Sequence, residues 1–133
     1  MVKVEISTDT RYPVNRKVIR KAVLDVIFQN RLTAADVEIS VSVIGARKMK
    51  NLLKDYLDDG DSHSVLAFAL EDVGDSGGGF VNAPSQPLVL GDIVICWPEL
   101  LREAAEEDVM VDARLAFLVS HATEHLLGEH HEE

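Results

Sequence analysis

The 133 residues predict one small α/β domain spanning residues 1–133. Three observations lead there. Stretches in which apolar residues alternate with polar ones, as a half-buried strand requires, take turns with stretches in which apolar residues recur every three or four positions, as on one face of a helix. The length suits a single compact domain, and 47% apolar residues with few aromatics are enough for one core. No internal repeat or long low-complexity tract divides the chain, so no second domain is expected.

Val2 to Ile6 alternates apolar with polar and reads as the first strand. From Pro13 to Phe28 the apolar residues Val14, Val18, Ile19, Ala22, Val23 and Ile27 fall at helical spacing, with Pro13 expected at the helix start. Val37, Ile39, Val41 and Val43 alternate with Glu38, Ser40 and Ser42, the pattern of a strand with one buried face. Ala46 to Tyr56 follows as a second helix, DDGDS at 58–62 reads as a turn, and Val65 to Leu70 as a short apolar strand. The stretch 74–87, GDSGGGFVNAPSQP, is a loop; it lacks the GK[ST] ending of a phosphate cradle, and no ligand is assigned to it. Pro87 to Cys96 is a strand with Gly91 at a bulge or close approach. Trp97 to Glu106 and Asp112 to Leu127 complete the pattern as two helices.

No segment reaches the roughly 18 consecutive apolar residues of a membrane span, and MVKVEIST is not a secretory leader. A soluble, cytoplasmic protein is expected. The one cysteine, Cys96, ends the apolar run IVIC and reads as a buried small hydrophobe in a reducing compartment. The net charge of −10 is unevenly spread: residues 1–54 hold 11 Lys/Arg against 5 Asp/Glu, and residues 55–133 hold 2 against 18. An acidic chain has little nonspecific affinity for nucleic acid, and DNA is not expected as a partner. Two basic clusters in helical stretches, Arg16, Lys17, Arg20 and Lys21, then Arg47, Lys48, Lys50 and Lys54, are either local phosphate contacts or solvated helix faces.

The chemistry concentrates at the end of the chain. His121, His125 and His131 are spaced as HxxxHxxGxxH, with Gly128 between the second and third. On a helix His121 and His125 lie one turn apart on one face, and Gly128 is expected to end the helix in a left-handed turn that returns His131 toward the same point. Three imidazoles and an open fourth position describe a catalytic zinc site for one ion, although nickel and copper also accept imidazole. His130 is left out of the ligand set, because neighbours in an extended segment point to opposite sides. His121, Glu124 and His125 also spell HxxEH, in which a glutamate serves as general base; Glu124 either flanks the metal in that role or faces solvent. The apolar stripe Leu115, Leu118, Val119, Ala122 and Leu126 should anchor this helix, with the two histidines at its border.

HATEHLLGEHH, VLAFALED and LGDIVIC together resemble the YbeY family of metal-dependent endoribonucleases and rRNA maturation factors, over most of the chain. His121, His125 and His131 fall on that family's three zinc ligands in HGxLHLxGxDH, and Leu126 and Gly128 match as well. Tyr56, Val65, Leu66 and Phe68 fall on its LNxxYRxxDxPTDVLSF segment, Gly91 and Asp92 on its LGDIVI strand. The resemblance implies a mixed sheet, expected as four strands with about four or five helices, one zinc ion in a cleft, and action on RNA at the small ribosomal subunit. This chain departs from the family pattern at Leu57, where the family has arginine, at Leu53 for asparagine, and at Ser64 and Ala67 for the Asp and Ser of TDVLSF. Ala122 replaces glycine and Glu124 leucine within the zinc motif, while Glu129 and His130 precede the last ligand where the family has Asp before it. His63, at the family's Thr position, is either a substrate contact or an exposed turn residue.

Three readings follow. The leading one is a zinc-dependent single-strand endoribonuclease in rRNA maturation and ribosome quality control. A second is a zinc-stabilised ribosome or RNA-binding module without cleavage, which Leu57 favours because a leucine cannot neutralise charge on a phosphoryl group as an arginine fork does. The third is a small HxxEH metallopeptidase. Oligomeric state is open.

Overall fold

The computed structural model describes residues 1–31, 36–56, 63–69 and 88–131, and for residues 55, 56 and 129–131 the backbone alone. The elements are β1 (Val2–Thr8), α1 (Arg16–Gln29), β2 (Val37–Ile44), α2 (Ala46–Tyr56), β3 (Val65–Ala69), β4 (Leu88–Cys96), α3 (Trp97–Glu107) and α4 (Val111–His131). The turn expected at 58–62, the loop expected at 74–87 and Leu57 lie outside the described residues.

The four strands form one mixed sheet in the order β1-β2-β4-β3. β1, β2 and β4 run parallel, and β3 pairs antiparallel with β4 at its edge. Parallel neighbours cannot be joined by a tight turn, so α1 has to carry the chain from the end of β1 back to the start of β2. Pro13 lies ahead of that helix, not in its first turn. Asn15 is the N-cap instead, its side-chain oxygen accepting from the Lys17 N–H at 3.1 Å, because an Asn oxygen satisfies a first-turn donor that proline has no means to reach.

Alternation in the strands sorts side chains onto two faces. Val37, Ile39, Val41 and Val43 of β2, with Leu90, Ile93 and Ile95 of β4, are buried under α1 and α4 in the main core. Each fully buried Ile or Leu there contributes roughly 1.5–3 kcal/mol. The opposite face carries a smaller cluster in which Met49 and Leu53 of α2 meet Val94 and Cys96, with Ile44, Leu52, Leu66 and Phe68 packed around them. Leu53 is thus a core residue of this chain. Cys96 is buried as expected, and burial pushes its thiol up and away from reactivity.

Gly91 meets its expectation. Its φ is 144°, and a Cβ there would sit 2.2 Å from the carbonyl oxygen of Phe68 on β3. The β2–β4 register shifts beside it, between Glu38 and Ile39, so the glycine lets β4 kink while keeping both neighbours.

Candidate metal site on helix α4

α4 is amphipathic in the strict sense that one long stripe is sealed and another is open. Leu115, Leu118, Val119, Ala122 and Leu126 are all buried, as their spacing predicts, and Leu127 joins them. Thr123 is fully buried as well; its hydroxyl donates to the Val119 carbonyl oxygen at 2.7 Å, so no polar group is stranded. α4 packs on α1, on α3 and on the sheet, chiefly against β3. The sealed stripe thereby fixes the helix as a rigid support for what projects from its other side.

The open stripe holds Phe117, His121, Glu124, His125 and Gly128. His121 and His125 are exposed and one turn apart, and neighbours at that spacing have Cβ atoms about 5–6 Å apart, which suits two imidazoles on one cation. In donor chemistry and spacing this pair fits a zinc ion. His131 is a different matter. α4 does not end at Gly128 but runs on to His131, and Gly128 has no positive φ. A glycine permits the left-handed turn without compelling it, and a Cβ at 128 would find nothing within 4 Å, so no packing forces a bend. Along an unbroken helix, position 131 lies about 15 Å beyond position 121 and about 80° around the axis. The side chain of His131 lies outside the described residues, as does that of His130, whose exclusion assumed an extended segment that the backbone does not form. Among the described residues no three metal-binding side chains converge.

Glu124 is exposed and lines a shallow cleft with Asn30, Leu127 and Gly128, toward the C-terminal end of α1. His63 is half-buried rather than an exposed turn residue, directly ahead of β3, which packs against α4. Beside it Ser64 is buried, its carbonyl oxygen accepting from the Cys96 N–H at 2.9 Å, and Ala67 packs against the main core. Asp92 is exposed and accepts a hydrogen bond from the Ser40 hydroxyl at 2.5 Å.

The spacing of the histidines drew no attention to the residues on their N-terminal side. The Arg114 guanidinium carbon lies 4.9 Å from the centre of the Phe117 ring. That ring in turn lies 5.9 Å from the His121 imidazole, the two planes 10° apart. Arg114 is held from beyond: its Nε and Nη2 donate to Glu103 at 3.0 and 2.8 Å, and its Nη1 to Glu107 at 3.2 Å. The signal was present as Arg, Phe and His at positions i, i+3 and i+7 of one helix, a ladder legible only once the helix face is known to be open.

Both cationic clusters are exposed. In the first, Arg16 donates to the Ile6 carbonyl oxygen and the Thr8 hydroxyl, and Lys21 pairs with Asp25 at 2.8 Å. In the second, Arg47, Lys48, Lys50 and Lys54 all face outward from α2, and among the described residues they form no ion pair. Lys48 borders a cleft with Ser42, Asn51, Leu52 and Val94 on the sheet face that α2 only partly covers. No helix among the described residues is long and apolar enough to cross a membrane.

A family profile described as Endoribonuclease YbeY matches residues 4–133. A protein named Endoribonuclease YbeY from Geobacter sulfurreducens is 32% identical over 122 residues, which cover 92% of this chain and 75% of that protein. Proteins of the same name from Magnetococcus marinus and Bacillus cereus are each 33% identical, over 98 and 94 residues, covering 74% and 71% of this chain. Those matches span 67% and 60% of the relatives' own lengths. With nearly its whole length matched, the chain belongs to the YbeY family.

Proposed function

We propose that this protein is a metal-dependent endoribonuclease that cuts single-stranded RNA, with small-subunit rRNA or the ribosome as its partner in rRNA maturation and ribosome quality control. The observation that carries the proposal is the pair of exposed imidazoles, His121 and His125, one turn apart on a helix whose other face is sealed, in a chain of the YbeY family. His121 and His125 would hold one zinc ion, with His131 as the third ligand only if the chain turns at Gly128 instead of running on as helix. That ion, when bound, supplies Lewis-acid polarisation of a phosphoryl oxygen and lowers the pKa of water.

The protein's own groups do the rest. The buried stripe of α4 orients the imidazoles, the cations of α2 engage the RNA backbone, and Glu124 takes up a proton beside His125. Because phosphate contacts release counterions, binding should weaken steeply with salt. Family membership favours this chemistry over amide hydrolysis by HxxEH.

A second reading, an RNA or ribosome-binding module without cleavage, draws support from Leu57 in place of the family's arginine and from the continuity of α4 past Gly128. One assay separates the two: cleavage of structured rRNA fragments by metal-loaded protein, chelator-treated protein and His125→Ala, with metal measured in each. Cutting that requires metal and is lost in His125→Ala supports the nuclease. Bound metal without cutting supports the binding module.

A further inference from the structure

We propose that Phe117, backed by Arg114 and flanked by His121, is a stacking platform for one unpaired RNA base next to the imidazole pair. This rests on the RNA-cleaving reading above and names how that site would grip its substrate.

Phe117 is 53% exposed, although it sits on a helix whose other face is buried from Leu115 to Leu127. Among the described residues the ring takes no part in the main core, to which α4 contributes its other face. Arg114, with its side chain only 18% exposed, covers part of the ring with its guanidinium while Glu103 and Glu107 hold the hydrogen-bonding edge. His121 lies parallel to the ring, and at 5.9 Å parallel rings are offset rather than face on face, so the imidazole leaves much of the Phe117 surface uncovered.

The charge balance selects a base over a phosphate. Arg114 spends its donors on two carboxylates, so the one guanidinium shown against the ring is already neutralised and the exposed part of Phe117 is what this edge of α4 offers. A phosphate would meet the glutamates of α3 unfavourably, whereas a base is uncharged and has a π-face suited to an aromatic ring. Only an unpaired base exposes that face, which matches the single-strand preference proposed above. Phe117 would act on binding and register of the RNA, not on the reacting atoms.

The test uses the full chain, a short single-stranded RNA carrying 2-aminopurine at successive positions, and the variants Phe117→Ala, Phe117→Leu and Phe117→Trp. Stacking on the ring should quench 2-aminopurine at one position in the wild-type complex. Phe117→Ala should weaken binding roughly fivefold to a hundredfold, abolish that quenching, raise KM more than it lowers kcat, and leave bound zinc and the melting temperature at wild-type values. Phe117→Trp should restore affinity and Phe117→Leu should not. Equal affinity of Phe117→Ala and wild type overturns the proposal. So does full rescue by leucine, which would mark an apolar protein contact, and so does loss of zinc in Phe117→Ala, which would make the ring a positioning group for His121. If wild type neither binds nor cuts RNA, the function proposed above fails before any variant is compared.

Discussion

The two faces of α4 answer to different requirements. On the sealed face every side chain is apolar or, like Thr123, satisfied within the helix; on the open face stand an aromatic ring, two imidazoles and a carboxylate. Burial of the first face determines where the helix lies, and its rigidity lets the second present donors at fixed spacing. Stability and chemistry are therefore separable on one element, and substitutions on the two faces should behave differently.

The largest effect belongs to the sealed face. Leu126 is fully buried, and Leu126→Ala should cost about 2–5 kcal/mol in urea unfolding. A cost under about 1 kcal/mol would mean that the helix is not anchored there. His125→Ala, one residue away and exposed, should change stability far less than Leu126→Ala in metal-free protein. It should nonetheless abolish stoichiometric metal binding, measured by elemental analysis; equal metal content in wild type and variant would remove His125 from the ligand set.

Gly128→Ala sharpens the contrast by changing sign. A methyl group there meets nothing within 4 Å and the backbone is helical, so alanine should stabilise the helix by roughly 0.5–1 kcal/mol. If metal binding requires the chain to turn at 128 and return His131, the same substitution should weaken zinc affinity by about fivefold, read by competition with a chelating dye. Unchanged affinity would show that zinc does not need the helix to unwind.

The smallest effect lies away from α4. The Arg11 guanidinium and backbone N–H beside Asp9 hold its carboxyl down at about 2, below its ordinary value of 3.8. A carboxyl with a depressed folded-state pKa adds stability that is complete above its unfolded value and lost as pH falls through the folded one. Asp9→Asn should therefore flatten the pH dependence of the urea midpoint only between about pH 4 and pH 2, and only slightly, since the pair faces solvent.

Two charge patterns of the chain have opposite outcomes. The only cations after residue 54, Arg102 and Arg114, are both tied to glutamates of α3, Arg102 to Glu99 and Glu106 and Arg114 to Glu103 and Glu107. Those of α2 stay exposed. Composition shows the imbalance between the halves; only the folded arrangement shows which positive charges are tied to carboxylates.

Much of the fold was legible because burial imposes a period. Val37 to Val43 alternates since one face of β2 meets the core, and Leu115 to Leu126 follows helical spacing since α4 does the same. Gly91 was legible too, because few sequence reasons place a glycine within an apolar strand, and the close approach of the Phe68 carbonyl is one of them. The histidine pair could be read from i, i+4 geometry alone. Three matters were decided only by tertiary structure. Whether the helix stops at Gly128 depends on neighbours, since glycine allows both outcomes at similar cost. The start of α1 fell to Asn15 rather than Pro13, and the Asn15 side chain, besides capping the helix, donates to Asp112 of α4 at 3.0 Å, a contact no local pattern shows. Arg114, Phe117 and His121 became one ladder because the glutamates of α3, contributed by another helix, hold the arginine in place. Periodicity is a local property that sequence carries in full, whereas contacts between elements depend on which faces meet, and that is settled when the elements pack.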